Sequence, residues 1–408
     1  LACCYFSKDN AMYENLAVIM LFLICFSLLA GRLEKTVISG PMVYVGFGFL
    51  AGPLVLGLID MDITNIELRV VADLTLALFL FLDAANANLG VLKRFSALPI
   101  RMLLVGLPLC ISLGIVAGYL IFDDLGIFEI CVLATMLAAT DAALGKAVIT
   151  NEQVPEKLRE GLNIESGLND GICVPILFLF IALAIGHEAA DDTGALAVKL
   201  VVKELGIGLA VGLGLTLVGA KMMKSAMDRG WVTSVWMQIP VVALAVGCFA
   251  VAQTLHGSGY VAAFTGGLLF GYLAKQHTHD LAHAGEGVGE TLALLTWLIF
   301  GAAVVGHMGS FSPQALLYAI LSLTVVRLLP MYLALAGSGE TSAAKLCLGW
   351  FGPRGLASIV FAVIVFSYNL PHGELLAKTV VYTVLISVIV HGLTANPLAR
   401  WIDRKAGG

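Results

Sequence analysis

The chain has 408 residues, of which 59% are hydrophobic and 12% are charged, and its mean hydropathy is +0.95. Soluble globular proteins are roughly half apolar and about 25% charged, so this composition excludes an ordinary soluble domain and indicates a polytopic membrane protein. The formal charge of −5 excludes a basic nucleic-acid-binding protein. The eight cysteines lack CxxC spacing, and we interpret them as small buried hydrophobic residues, although the adjacent Cys3-Cys4 pair remains unassigned.

Apolar stretches of about 20 residues predict transmembrane helices, because a helix rises about 1.5 Å per residue across about 30 Å of hydrocarbon. Such stretches follow one another with short connections, and no segment remains for a separate soluble domain. The first stretch could also be a signal peptide, but it leads directly into further spans, which favours a transmembrane helix. The thirteen predicted helices lie near residues 14–31, 36–58, 66–91, 98–121, 128–147, 159–187, 195–225, 231–253, 257–275, 286–307, 312–336, 342–368 and 374–400.

Lys and Arg are distributed unevenly among the predicted loops. With the N-terminus outside and the C-terminus in the cytoplasm, 16 of the 23 basic residues lie in cytoplasmic loops or at the adjoining helix ends, and 5 lie in or next to outer loops. The other two, Arg327 and Arg354, lie inside predicted helices. Cytoplasmic loops of membrane proteins carry an excess of Lys and Arg, so the distribution predicts this orientation, which needs an odd number of helices.

Two of the predicted helices contain residues that interrupt a helix. Helix five contains Ala139-Thr140-Asp141-Ala142, and helix twelve contains Gly352-Pro353-Arg354-Gly355, where proline removes a backbone donor. Each is the fifth helix of a six-helix half, about 14–187 and about 231–400, and a helix near 195–225 connects the halves. We therefore predict one transmembrane domain of two inverted repeats, whose broken helices cross near the midplane of the bilayer.

Ionisable residues inside the predicted helices indicate a functional site, because charges are rare and unfavourable within a bilayer. Asp170 lies 11 residues past Arg159, which is about 16 Å along the helix at about 1.5 Å per residue. Asp141 and Arg354 reach a similar predicted depth. A buried salt bridge is the alternative for any one of them, but Glu165 adds a third carboxylate and leaves the cluster short of positive charge.

Predicted helix six places polar side chains on neighbouring stripes. Ser166 and Asp170 are four residues apart, and so are Glu165 and Asn169, so each pair lies on one face of the helix. Carboxylate, hydroxyl and amide oxygens suit a monovalent cation or a proton. Polar contacts between packed helices are the alternative explanation.

In this order and spacing, the motifs resemble those of sodium/proton exchangers of the NhaP and eukaryotic NHE type. The resemblance extends over nearly the whole chain and implies a homodimer in the cell membrane, an elevator-like alternating-access cycle and a role in pH homeostasis. The segments that carry it are Ala139-Thr140-Asp141, Glu165-Ser166-x-x-Asn169-Asp170-Gly171, Gly352-Pro353-Arg354-Gly355, Ser39-Gly40-Pro41-Met42, Phe81-Leu82-Asp83, Gly257-Ser258-Gly259-Tyr260 and Arg327-Leu328-Leu329-Pro330.

The resemblance implies an ion-binding role for four residues. Asp170 would bind the monovalent cation and the proton in turn, and Thr140, Asp141 and Ser166 would complete the site. The cation would be Na⁺, with K⁺ or Li⁺ as alternatives, and no organic cofactor is expected. The family usually has a proline where this chain has Ala142, which leaves open how helix five unwinds and which cation is preferred.

The resemblance also implies supporting roles. Glu165 would pair with Arg354 as a structural brace, and Asn169 would order the site. Because electrogenic relatives have an aspartate at the position of Asn169, asparagine there implies electroneutral, one-for-one exchange. The histidines 277, 279 and 283 could sense pH or belong to an ordinary solvated loop. Asp83 is predicted near the cytoplasmic end of helix three, and Asp73 has no assigned role.

Other functions fit the sequence less well. A transporter of the same fold that carries an organic anion is the main alternative, but the carboxylates of the site would repel an anion. An aspartyl intramembrane protease would also have two intramembrane aspartates, yet neither Tyr-Asp nor Gly-x-Gly-Asp occurs around Asp141 or Asp170. A passive channel would need a repeated filter segment, which the sequence lacks. We therefore predict a transporter and not an enzyme.

Overall fold

The chain folds into α-helices in the computed structural model, and no β-strand occurs among the residues that the structure describes. These are residues 2–33, 38–59, 66–87, 97–141, 154–188, 193–233, 238–273, 278–304 and 311–406, with single residues 36, 144, 148, 149 and 236. Ala142 lies outside this set, as do the side chains of Cys3, Cys4 and the histidines 277, 279 and 283. The predictions made for them therefore remain predictions.

The helices of the described part follow one another with short connections. A π-helical turn lies at Met102–Gly106, inside the helix Ala97–Ile121, and another lies at Phe300–Val304, directly after the helix Thr278–Ile299. In chain order the helices are α1 (Ala2–Leu33), α2 (Gly40–Ala51), α3 (Ile66–Asn86), α4 (Ala97–Ile121), α5 (Ile127–Met136), α6 (Glu156–Glu188), α7 (Thr193–Asp228), α8 (Gln238–Thr254), α9 (Gly259–Leu273), α10 (Thr278–Ile299), α11 (Pro313–Ala334), α12 (Ser342–Trp350), α13 (Leu356–Ser367) and α14 (Gly373–Ala406).

Six helices of the described part are long and apolar enough to cross a membrane: α1, α4, α6, α7, α11 and α14. They differ in how far other helices surround them: only 6% of the apolar segment of α1 is buried inside the protein, compared with 50% in α6 and 61% in α14. The prediction of an all-α polytopic membrane protein is therefore confirmed. The count of thirteen transmembrane helices and the two inverted repeats stay predictions.

Several helices are shorter than the apolar stretches suggest. The second predicted helix extends to residue 58, whereas α2 ends at Ala51, because Gly52 caps it and Pro53 cannot continue the hydrogen-bond ladder. The backbone then folds back, with the N–H of Ile59 donating to the carbonyl of Ala51 over 2.8 Å. An apolar run therefore indicates depth in the membrane and does not by itself indicate continuous helix.

Helix α9 packs tightly between α3 and α7. Gly267 and Gly271 of α9 lie directly against backbone carbonyls of Phe81 and Ala85 on α3, where a Cβ atom would overlap the neighbouring backbone. Small residues allow such close approach of helices within a membrane. The Tyr260 hydroxyl of α9 also donates to Asp73 Oδ1 of α3 over 2.6 Å, which gives Asp73 a partner and a packing role.

The start of α5 is fixed from two sides. Glu129 Oε2 accepts a hydrogen bond from the backbone N–H of Gly126, so it caps α5, and Oε1 accepts from the backbone N–H of His372, each at 3.0 Å. His372 immediately precedes α14. Glu129 and His372 therefore connect the first turn of α5 with the start of α14.

Candidate functional site

Two non-helical segments meet beyond the end of α5. Residues 139–141 have left the helix that ends at Met136, and residues 351–355 separate α12 from α13. The segments are joined by a hydrogen bond of 2.8 Å from the backbone N–H of Asp141 to the carbonyl of Pro353. Both predicted interruptions are therefore present and in contact. Unwound backbone is tolerated at membrane depth only where protein groups or a cavity satisfy it.

Asp141 caps the start of α13. Its Oδ2 atom accepts a hydrogen bond of 2.8 Å from the backbone N–H of Leu356, the first residue of that helix. A helix N-terminus has unsatisfied N–H groups and a partial positive charge, both of which favour a carboxylate. Gly355 makes this approach possible, because a Cβ atom at position 355 would overlap the Asp141 carboxylate.

A cavity of about 40 Å³ lies beside this junction, and three carboxylates line it: Asp83 of α3, Asp141, and Asp170 of α6. Its apolar walls include Leu76, Phe79 and Trp297. A volume of this size accommodates a few water molecules or a partly hydrated monovalent ion. The cavity combines acidic groups with an apolar wall, and its size and charge suit a single small cation.

Asp170 has capacity for a further ligand. Its Oδ1 atom is buried and has no hydrogen-bond partner among the described residues. The three aspartates do not converge as one ligand set, because no group of three or more His, Cys, Asp or Glu in the described part is spaced to hold a metal ion. A cation at Asp170 would therefore take some of its ligands from groups other than carboxylates.

The predicted pairing of Glu165 with Arg354 is wrong. Glu165 is paired with Arg327 of α11, whose Nη1 and Nη2 donate to Oε1 and Oε2 over 2.8 and 3.0 Å. Both side chains are almost completely buried, at 0% and 1% exposure. The Arg327 guanidinium lies against Gly352, where a Cβ atom would overlap it. The break between α12 and α13 thus makes room for an arginine from α11.

Arg354 has a different set of partners. Its Nη1 donates to the carbonyls of Ala138 and Ala139 over 3.1 and 3.2 Å, at the point where the backbone leaves α5. Carbonyls at a helix C-terminus lack intrahelical donors and carry partial negative charge, which explains why the guanidinium lies there and not on Glu165. Arg354 therefore caps the broken end of α5 from the break of the other helix.

The remaining predicted residues form a network around Glu165. Asn169 Nδ2 donates to Glu165 Oε1 over 3.0 Å and to Thr140 Oγ1 over 3.2 Å. Ser166 Oγ donates to the Thr140 carbonyl over 3.0 Å. Asn169 therefore connects α6 with the unwound end of α5 and with the buried ion pair. The structure thus brings the seven predicted site residues together at one junction.

Sequence reasoning missed two residues of this site. The sequence places Asp83 near the end of α3, and the structure agrees. The structure also shows that Asp83 lines the cavity with Asp141 and Asp170. Arg327 was recognised as a charge within a helix and was given no role. The rule that selected Arg354 applies equally to Arg327, because an intramembrane charge needs a partner. Only the fold shows that Arg327 binds Glu165 and that Arg354 binds backbone carbonyls.

The chain matches a known family and several curated relatives. The family model described as "Sodium/hydrogen exchanger, transmembrane" matches residues 17–401. The K(+)/H(+) antiporter NhaP of Alkalimonas amylolytica is 23% identical over 392 residues, covering 95% of this chain and 66% of the relative. The Na(+)/H(+) antiporter ApNhaP of Aphanothece halophytica is 24% identical over 405 residues, with 95% and 74% covered.

A solved structure shows the same fold. The sodium proton antiporter MjNhaP1 from Methanocaldococcus jannaschii superposes with a TM-score of 0.71 at 19% identity, over 93% of this chain and 99% of that chain. The present chain spans 62% to 66% of the length of the first curated relatives that it matches. Those relatives therefore contain segments with no counterpart in these residues.

Proposed function

Because the chain belongs to the sodium/hydrogen exchanger family, whose members are transporters and not enzymes, we propose that it exchanges a monovalent cation for a proton across a membrane. The observation that supports this most directly is the cavity lined by Asp83, Asp141 and Asp170 beside two broken helices. Acidic groups at such a position attract cations and accept protons.

In this proposal Asp170 binds the cation and the proton in turn. Its Oδ1 atom has no hydrogen-bond partner among the described residues, so a cation or a proton supplies the missing contact. Asp141, together with oxygens of Thr140 and Ser166, completes the site. The hydrogen bonds that now join Thr140 and Ser166 must rearrange if their hydroxyls turn to a bound cation.

The remaining polar residues hold the site in place. Glu165 and Arg327 neutralise each other, Asn169 connects them with Thr140, and Arg354 caps the end of α5. These groups keep fixed charges while Asp170 alternates between its two ligands. One proton then exchanges for one cation.

The identity of the cation and the transport cycle are also proposals. Relatives are named as K(+)/H(+) and as Na(+)/H(+) antiporters, so Na⁺ and K⁺ are both candidates, and Li⁺ is a third. We further propose a homodimer in the cell membrane, with the N-terminus outside, that works by elevator-like alternating access and serves pH homeostasis. The distribution of Lys and Arg supports this orientation.

The decisive experiment measures proton flux in proteoliposomes with a pH-sensitive dye. Na⁺, K⁺ and Li⁺ are added in turn to vesicles with an imposed pH gradient, and the proposal expects at least one of them to dissipate it. Asp170→Asn should abolish this flux, because an amide cannot alternate between a proton and a cation. Asp73→Asn is the matched control, since that carboxylate lies on α3 and bonds to Tyr260.

Two results would contradict the proposal. A pH gradient that none of the three cations dissipates would exclude exchange of these cations. Normal cation-driven flux in Asp170→Asn would exclude Asp170 as the binding carboxylate. Equal loss of flux in Asp73→Asn would show that the effect is not specific to the cavity, and the assignment of Asp170 would lose its support.

A further inference from the structure

A buried histidine and a buried serine of α14 lie against the break between α12 and α13. His391 is 1% exposed and Ser387 is 0% exposed, and they are one helical turn apart. Neither side chain lines the cavity with the three aspartates. Two polar side chains in an apolar helix need partners, and those partners show what the pair does.

The two side chains contact both ends of the broken segment. His391 Nε2 lies 3.0 Å from the carbonyl of Trp350, the last residue of α12. Ser387 Oγ accepts a hydrogen bond of 2.7 Å from the backbone N–H of Arg354. The serine hydroxyl and His391 Nδ1 are 3.1 Å apart, so the pair forms a continuous connection.

The donors and acceptors of this connection can be assigned. A carbonyl oxygen only accepts, so the Nε2 atom carries the proton and donates to Trp350. A neutral imidazole then has Nδ1 free as an acceptor, and the Ser387 hydroxyl donates to it while accepting from Arg354. Nδ1 is also 3.1 Å from the Ser387 carbonyl, a contact that is attractive only with a proton on Nδ1. A neutral imidazole satisfies the three other contacts.

The segment held in this way is hydrogen-bonded to Asp141, which lies in the other broken helix. Within it, the carbonyl of Pro353 accepts from the backbone N–H of Asp141. Immediately after it, the backbone N–H of Leu356 donates to the Asp141 carboxylate. A shift at Trp350 or Arg354 therefore displaces groups that bind Asp141 through two hydrogen bonds.

We propose that His391 and Ser387 are positioning residues for the exchange site, which fix the break between α12 and α13 and thereby place Asp141 in the cavity. This inference rests on the proposed function, since its consequence is a change in cation affinity. Neither residue touches the ion. Their loss should raise the cation concentration for half-maximal exchange more than it lowers the maximal rate.

The test uses two histidine variants that each keep one end of the connection. His391→Gln places an amide near the position of Nε2 and loses the acceptor for Ser387. His391→Asn keeps a polar group near the position of Nδ1 and loses the donor to Trp350. Ser387→Ala removes the acceptor of the Arg354 N–H. Thr383→Val is the matched control, because Thr383 is also buried on α14 and its hydroxyl donates only within the helix, to Thr379.

We expect each of the three variants to raise the half-maximal cation concentration about fivefold, the equivalent of about 1 kcal/mol for one lost hydrogen bond. The double variant Ser387→Ala with His391→Gln should be no worse than the poorer single variant, since the residues act as one unit. Thr383→Val should match the parent in affinity.

The inference is overturned if the His391 and Ser387 variants melt at lower temperature but keep the parent's half-maximal concentration, since the pair would then only stabilise the fold. It is also overturned if Thr383→Val weakens cation affinity equally. Should the histidine variants fail to fold, Ser387→Ala decides between the outcomes. Failure of the proposed function is distinct, because the parent protein itself would then show no cation-driven flux.

Discussion

Glu165 and Arg327 form the most deeply buried ion pair of the site, and removing one partner leaves the other charge without compensation. Arg327→Ala should therefore lower the free energy of unfolding by about 3–5 kcal/mol. Arg354→Ala should be milder, because the groups that lose its hydrogen bonds are neutral carbonyls, and the Ala138 carbonyl still accepts from Asn169 Nδ2. Melting temperatures of the purified variants in detergent test this order.

A double variant separates the ion pair from simple packing. Glu165→Gln combined with Arg327→Gln removes both charges, so it should recover part of the stability that Arg327→Ala loses. If Arg354→Ala is the more damaging change, or if the double variant is the least stable of all, the pairing seen between α6 and α11 does not dominate stability.

Asp83 is expected to strengthen cation binding without being the carboxylate that alternates. Two unit charges about 4 Å apart interact by about 1 kcal/mol in water and about 4 kcal/mol near a protein surface, so loss of a cavity carboxylate should raise the half-maximal cation concentration by about fivefold or more. Asp83→Asn keeps the shape of the side chain and removes its charge. Exchange should persist at high cation concentration, unlike in Asp170→Asn. Unchanged affinity would show that Asp83 does not act on the ion.

At this scale the sequence predicts which residues cluster at one site better than which side chains pair with each other. Asp141, Asp170, Thr140, Ser166, Glu165, Asn169 and Arg354 do lie together. Charge within an apolar helix is visible in a sequence, because its unfavourable transfer into the membrane demands a reason. The choice between Arg327 and Arg354 as partner of Glu165 depends on how α11 passes the broken helix, and no local pattern contains that information.

At the scale of elements, the break between α12 and α13 depends on a glycine that cannot be replaced. Any side chain at Gly355 would overlap Asp141, which caps α13. Gly355→Ala should therefore abolish or strongly reduce exchange, and Gly373→Ala is the control, since nothing lies within 4 Å of a Cβ atom there. Proton flux of both variants, at matched amounts of folded protein, tests this. Equal activity would mean that Asp141 can move without loss of function.

The sequence predicts these breaks unequally. Gly352-Pro353 disrupts a helix by its own chemistry, so the second break is visible in the amino-acid order. The first break has no proline in its described part, and residues 139–141 leave the helix because partners elsewhere satisfy their backbone. The same limit explains why α5 is shorter than predicted, whereas the end of α2 follows from its own residues, Gly52 and Pro53. Apolar length indicates that a segment lies in a membrane and does not show where its helix ends.

At the scale of the whole molecule, the cavity lies between the two predicted halves. Asp83, Asp141 and Asp170 come from the first half, whereas Trp297 and Leu356 come from the second. A movement of the helices that carry the aspartates against other helices of the cavity wall would open the cavity toward one side of the membrane and then the other. The position of the site therefore supports alternating access as the proposed cycle.

The last prediction concerns the charge carried in each cycle. Only Asp170 is expected to exchange a proton for a cation. Asp141 is held by the backbone N–H of Leu356, the pair Glu165–Arg327 is closed, and Asn169 cannot titrate. Asp83 could carry a second proton, because it lines the same cavity. We expect it to keep one protonation state, so that one cation exchanges for one proton and no net charge crosses the membrane.

A membrane potential distinguishes these cases, since a net charge gains about 2.3 kcal/mol per 100 mV whereas neutral exchange gains nothing. Vesicles containing the protein are prepared with cation and proton gradients in balance, and a potential is imposed with an ionophore for an ion that is not a substrate. Electroneutral exchange predicts no net proton movement of either sign. Proton movement that reverses with the potential would show a second charge. Its disappearance in Asp83→Asn would then identify Asp83 as the group that carries it.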